Sequence, residues 1–158
     1  MSFGRIAVAP ASRDFPSHSM RILILLLANL SLVAPHIPET IGLLTIAANL
    51  DTAAWTAVHG YLPLPNSLNP AAEDPLPKTI LHVQAIGGKD QVVPPCVTDA
   101  YRNAGHQLEV WLYGDFEHRC CWVREWQDIL EKFDRSLNGR HATSTLKIAE
   151  GRLVSSRR

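Results

Sequence analysis

The chain has 158 residues, enough for one domain with a buried core. Hydrophobic residues make up 46% of it and charged residues 19%, which excludes a disordered chain. Lysine plus arginine equals aspartate plus glutamate at 15 each, so no overall field directs the protein to nucleic acid or to an acidic partner.

Residues 1–19 read as irregular. Ile6-Ala7-Val8-Ala9 is a short strand candidate, and Pro10, Pro16 and scattered serines interrupt the rest. Residues 21–34 are an apolar run from Ile22 to Val33, too short for a transmembrane helix, which needs about 20 such residues. The run reads as a buried helix ended by Pro35. The competing reading takes Met20-Arg21 and the run as the start and apolar core of an export signal beginning at an internal methionine. This sets the expected organisation: residues 1–34 as an irregular segment plus an apolar helix, 35–138 as the core, and 139–158 as a basic flexible tail.

Residues 41–48 are apolar and rich in β-branched side chains, the pattern of a fully buried parallel strand. Asn49-Leu50-Asp51 follows at the strand's C-terminal end, where open α/β sheets carry their sites. Asp51 is either an acid of that site or, preferably, the cap of a helix opened by Thr52-Ala53-Ala54-Trp55. His59 and Tyr61 lie in a surface stretch. Pro63, Pro65, Pro70, Pro75 and Pro77 exclude a helix or central strand over residues 62–77. That excursion either lines a pocket or simply connects.

Residues 79–86 form the next strand and run into Gly87-Gly88-Lys89-Asp90-Gln91-Val92-Val93-Pro94. Pro94-Pro95 opens a helix to Asn103, with Gly105 closing it. Residues 107–112 are the last strand, followed by Gly114-Asp115-Phe116-Glu117-His118. Over residues 122–137, Trp122, Trp126, Ile129, Leu130, Phe133 and Leu137 recur at helical spacing, and Asn138-Gly139 reads as the stop. The tail beyond carries Arg140, Lys147, Arg152, Arg157 and Arg158 without interleaved aromatics, and reads as a solvated end.

Cys96, Cys120 and Cys121 make an odd count without zinc spacing. They read as reduced thiols of a cytosolic protein, with a Cys96–Cys120 bridge as the alternative. Adjacent cysteines rarely bond to each other. A metal site from His59, His118 and Asp90 lacks the local spacing such sites show. No cofactor is implied.

The fold expected from these elements is α/β, with three or four parallel strands and helices on both faces. Asp90 and His118 each follow a strand, so one sheet edge carries both and they fall within hydrogen-bond reach. An acid beside an imidazole fixes its tautomer and stabilises the imidazolium, which is two-thirds of a nucleophile triad.

The motif Gly-x-x-Asp-x-x-Val-Pro after one strand and Gly-x-Phe-x-His after the next resembles the C-terminal half of an α/β-hydrolase, whose triad runs Ser, then acid, then His. Residues 47–55 and Cys120-Cys121-Trp122 are similar to a bacterial subgroup of that family. The resemblance spans roughly residues 40–137 and implies Asp90 as the acid and His118 as the base. No Gly-x-Ser-x-Gly is present. Ser17-His18-Ser19-Met20-Arg21 resembles the family's elbow with both glycines replaced, which makes Ser19 the nucleophile by resemblance and leaves nothing local to pin it.

If the site works, Ser19 attacks an ester or amide carbonyl, His118 serves as base and then acid, and the Met20 N–H supplies half an oxyanion hole. The family's eight-strand core needs more chain than this. The alternative is therefore a truncated, inactive fragment that hydrolyses activated short esters no faster than a His118→Ala variant. The expected partners are a small acyl substrate and, through an uncovered sheet edge, a second copy. Nucleic acid and stable membrane insertion are not expected. The expected compartment is the cytoplasm, or outside it if the apolar run is an export signal.

Overall fold

The computed structural model describes the backbone over residues 21–25 and 30–155 and the side chains over residues 31–140. Four short apolar runs form strands: β1 (Arg21–Leu25), β2 (Thr40–Ile46), β3 (Leu81–Gly87) and β4 (Glu109–Tyr113). Their order in the sheet is β1-β2-β3-β4, and every neighbouring pair is parallel. Between them lie α1 (Leu30–Val33), α2 (Thr52–Val58) and α3 (Pro95–Asn103), with single 3-10 turns at Ala34–His36 and Pro70–Ala72. The last element is α4 (Trp126–Ser155).

β2 from Gly42 onward and all of β3 are buried on both faces, the usual state of central parallel strands. The registered pairs Leu43–His82 and Thr45–Gln84 share one face. Ala34 packs with Leu43 on that face, and the ring of Tyr101 in α3 stands edge-on to His82. A sheet whose strands add sequentially through right-handed crossovers lays its connections on one side, which these contacts obey. Leu44, Ile46, Val83, Ala85 and Trp111 face the other way and are also buried.

Two expectations are corrected here. The apolar run over residues 21–34 is not one helix: its first part is β1, paired with β2 from Arg21–Thr40 to Leu25–Thr45, and only Leu30–Val33 makes a helical turn. A continuous apolar run carries no period to separate strand from helix, and an available β2 edge offers backbone partners. The tail is not irregular either. α4 continues through Asn138-Gly139 to Ser155. Gly139 does not take the left-handed conformation of a helix stop, and an Asn-Gly pair costs a helix only about 1–2 kcal/mol, a penalty rather than a break. Ile129, Phe133 and Leu137 are buried at helical spacing, as expected, while Trp122 precedes the helix. The chain divides into two compact units after Cys121.

The C-terminal edge of the sheet is shaped by the turns leaving β2, β3 and β4. Ala47 takes a left-handed φ of 48° and its N–H bonds the Ala85 carbonyl at 2.9 Å. This steers the chain off β2 into Asp51, which caps α2: Oδ1 accepts from Ala53 N and Ala54 N, both at 3.0 Å. Asn69 bonds the same oxygen at 3.2 Å and accepts from Thr52 N at 2.9 Å, tying the proline-rich excursion to the start of α2.

Candidate functional site

Asp90 follows β3 and His118 follows β4, so both stand at the C-terminal edge of the sheet. What brings them together is the close approach of their two loops. Gly88 N–H donates to the Tyr113 carbonyl at 2.8 Å, and Lys89 N–H to the Phe116 carbonyl at 2.9 Å. A Cβ on Gly87 would meet the Phe116 carbonyl carbon at 2.9 Å, and one on Gly88 would meet the Gly114 carbonyl oxygen at 2.6 Å. Only glycine leaves room for backbone this close. The Gly-Gly pair thus serves loop-to-loop packing, since neither residue takes a left-handed φ.

Inside this frame His118 Nδ1 lies 2.9 Å from Asp90 Oδ2. A carboxylate only accepts, so Nδ1 carries the proton and donates. The other carboxylate oxygen, Oδ1, accepts from Val92 N and Val93 N, each at 2.8 Å. Asp90 is buried, whereas the His118 side chain is about a third exposed. The carboxylate is therefore held from behind by two backbone donors and presents its remaining oxygen to a ring at the surface. That arrangement orients the imidazole and fixes which of its ring nitrogens carries the proton.

The pair opens on a cleft of about 920 Å³ lined by Val58, His59, Gly88, Lys89, Asp90, Gln91, Val92, Pro94, Pro95, Glu117, His118 and Arg119. Lys89 is ion-paired with Asp115 at 2.8 Å on the surface. The hydrogen bond between them raises the Lys89 ammonium above its ordinary range and lowers the Asp115 carboxyl. The described lining contains no serine, threonine, tyrosine or cysteine. Ser19 and Met20 lie outside the described residues.

The other residues named from the sequence have settled roles. Asp51 is the helix cap and not an acid of the cleft. His59 Nε2 bonds the Val92 carbonyl at 3.0 Å. Among the described residues, no group of three or more His, Cys, Asp or Glu side chains could hold a metal ion. No helix of the described residues is long and apolar enough to cross a membrane. Cys120 and Cys121 are joined to each other, which corrects the reduced reading for that pair, while Cys96 is free and exposed at the start of α3, as the reduced reading has it and against a Cys96–Cys120 bridge. For Cys120 the neighbouring residue in the chain supplies the second thiol.

Two features escaped the sequence reading. One is Trp55, whose indole N–H also bonds the Val92 carbonyl, at 2.6 Å. Its signal was the spacing Trp55-x-x-x-His59, which puts both rings on one face of α2. The other is a buried polar set behind the sheet edge. Gln84 donates to the Ala48 carbonyl at 2.7 Å and pairs with the Thr45 hydroxyl. His82 lies 3.4 Å from the same hydroxyl and is pushed down to about 3 by burial and by neighbouring His106. Tyr101 stacks on His106 at 4.1 Å and is pushed up to about 12 by burial. No protein-family model, curated protein or solved structure matches the chain.

Proposed function

We propose that the cleft is the acid–base part of a serine-type hydrolase acting on a carboxylic ester or a related acyl substrate. The observation that supports it is the 2.9 Å His118–Asp90 bond with the second carboxylate oxygen already occupied by Val92 N and Val93 N. In this tautomer Nε2 carries no proton and can take one. His118 would accept the Ser19 hydroxyl proton as that oxygen bonds the acyl carbon, and return it to the departing alkoxide. A water would then repeat the sequence to release the acid. Asp90 takes no proton; it holds the ring and offsets the imidazolium charge.

A second reading is a hydrolase-like domain without a working nucleophile. One observation favours it. Arg21, two positions after Ser19, opens β1 and pairs with Thr40, at the sheet edge opposite the ends that carry Asp90 and His118. One experiment separates the readings. The parent chain, Ser19→Ala and His118→Ala are compared on a chromogenic acetate ester and with a fluorophosphonate probe. The hydrolase reading requires the parent to exceed His118→Ala by about a hundredfold, a typical general-base contribution, and labelling that Ser19→Ala abolishes. Equal rates and no labelling establish the second reading.

A further inference from the structure

We infer that Trp55 and His59 are positioning residues for Asp90, acting on it through the Val92 carbonyl. This rests on the Asp90–His118 pair of the reading above and not on its nucleophile. The carbonyl oxygen of Val92 accepts two side-chain hydrogen bonds at once, from Trp55 Nε1 at 2.6 Å and His59 Nε2 at 3.0 Å. The donors stand 37 and 33 residues away in sequence, on α2 and its C-cap. Two bonds fill both lone pairs of one carbonyl. The Val92 side chain is about half exposed, so burial of that side chain does little to place this peptide.

Val92 N–H, on the other side of the same residue, is one of the two donors to Asp90 Oδ1, and Val93 N–H is the other. The Val92–Val93 peptide therefore has its carbonyl tied to α2 and its N–H tied to the carboxylate. A peptide group is planar, so fixing the oxygen also fixes the direction of the Val93 N–H. Rotation of this peptide would swing Oδ1, and with it the Oδ2 that faces His118 Nδ1. The clamp thus reaches the imidazole in three hydrogen-bonded steps.

The donors are themselves held. Gly60 takes a φ of 65°, which turns the chain back at the end of α2, and Tyr61 N–H then bonds the Thr56 carbonyl at 2.9 Å. That return stacks Tyr61 on His59, with centroids 5.5 Å apart and planes 21° from parallel, and leaves Trp55 5.0 Å from His59. The three rings pack on one another, while the two N–H edges meet the Val92 oxygen. A purely apolar contact would need neither edge. A carbonyl oxygen only accepts, so His59 donates from Nε2.

The test is proton exchange at His118 Nδ1, read by NMR on the full chain with 15N-labelled histidine. The Nδ1–H signal is assigned by its loss in His118→Gln. The parent should show a slowly exchanging Nδ1 proton. Trp55→Phe with His59→Ala should exchange it at least tenfold faster, while amides of β2 and β3 keep their parent rates. Trp55→Phe with His59→Gln, which restores one N–H donor, should recover most of the protection. If the double variant does not fold, Trp55→Phe alone keeps the ring and should still accelerate exchange about threefold. An Nδ1 rate within twofold of the parent in Trp55→Phe with His59→Ala, or in Trp55→Phe alone where the double variant does not fold, would overturn the proposal. So would an equal acceleration of the sheet amides, or absence of the protected proton in the parent. A chain that hydrolyses no ester but passes this test loses the hydrolase reading and keeps the clamp.

Discussion

A single carboxylate carries most of the organisation of the cleft. Asp90 satisfies two backbone donors with one oxygen and an imidazole with the other. Bonds to a charged acceptor are worth about 1.5–3 kcal/mol each, and a buried donor left without its partner costs comparably. Asp90→Ala, which strands both backbone donors, should therefore lower stability by roughly 3–6 kcal/mol, read as a fall in the urea midpoint at constant slope. A His118→Ala variant, which leaves Val92 and Val93 bonded, should lose well under half as much. Equal losses would show that the acid holds the ring and not the turn.

Between elements, the contact of the two turns at the sheet edge depends on glycine. A methyl on Gly88 would lie 2.6 Å from the Gly114 oxygen and 2.9 Å from its Cα, and both obstacles are backbone. Neither can rotate aside as a side chain could. Gly88→Ala should cost about 1–3 kcal/mol, the range for overpacking, and should weaken the Asp90–His118 bond, both measurable on one sample by denaturation and by NMR. Much of this edge was legible in the sequence. An apolar run, a Gly-Gly turn and an acid, followed by a second run ending at a histidine, leave few ways to build a parallel pair. The cap at Asp51 was equally plain, because it is a local interaction read from local text. β1 was not legible, since Ile22 to Leu25 fits strand or buried helix equally until β2 is known to lie beside it. Trp55 and His59 were missed for a related reason. Their partner is a backbone oxygen more than thirty residues on, and a carbonyl leaves no mark in a sequence.

The whole molecule should respond to pH through a histidine that is not in the cleft. His82 is held down to about 3 by burial and by His106, whereas in the unfolded chain it titrates near 6.5. The folded state thus refuses a proton that the unfolded state accepts below 6.5. His82's share of stability is fully present above pH 6.5 and is lost as pH falls from there toward 3, at about 1.4 kcal/mol per pH unit. Urea midpoints at pH 7.5, 6 and 5 should fall accordingly, and His82→Leu should flatten the decline by about one proton. The sheet makes a second demand at this scale. β1 and β4 are the outer strands of the described sheet, and Leu112 on β4 is 62% exposed. Outer strands with apolar side chains invite pairing with another copy. Sedimentation should show association that grows with concentration and that Leu112→Lys reduces; a monodisperse 17.5 kDa species at all concentrations would count against it.

The backbone bonds from Gly88 to Tyr113 and from Lys89 to Phe116 have a consequence for how the edge breathes. They join the turn after β3 to the turn after β4 at the two points that flank the glycine contact. Neither turn can open alone without breaking both bonds, so the acid and the imidazole belong to one cooperative unit of local unfolding. Deuterium uptake at the Gly88 and Lys89 amides should then proceed at a common rate. The cleft would lose its acid–base pair all at once, in rare complete openings, and not by gradual loosening of one side.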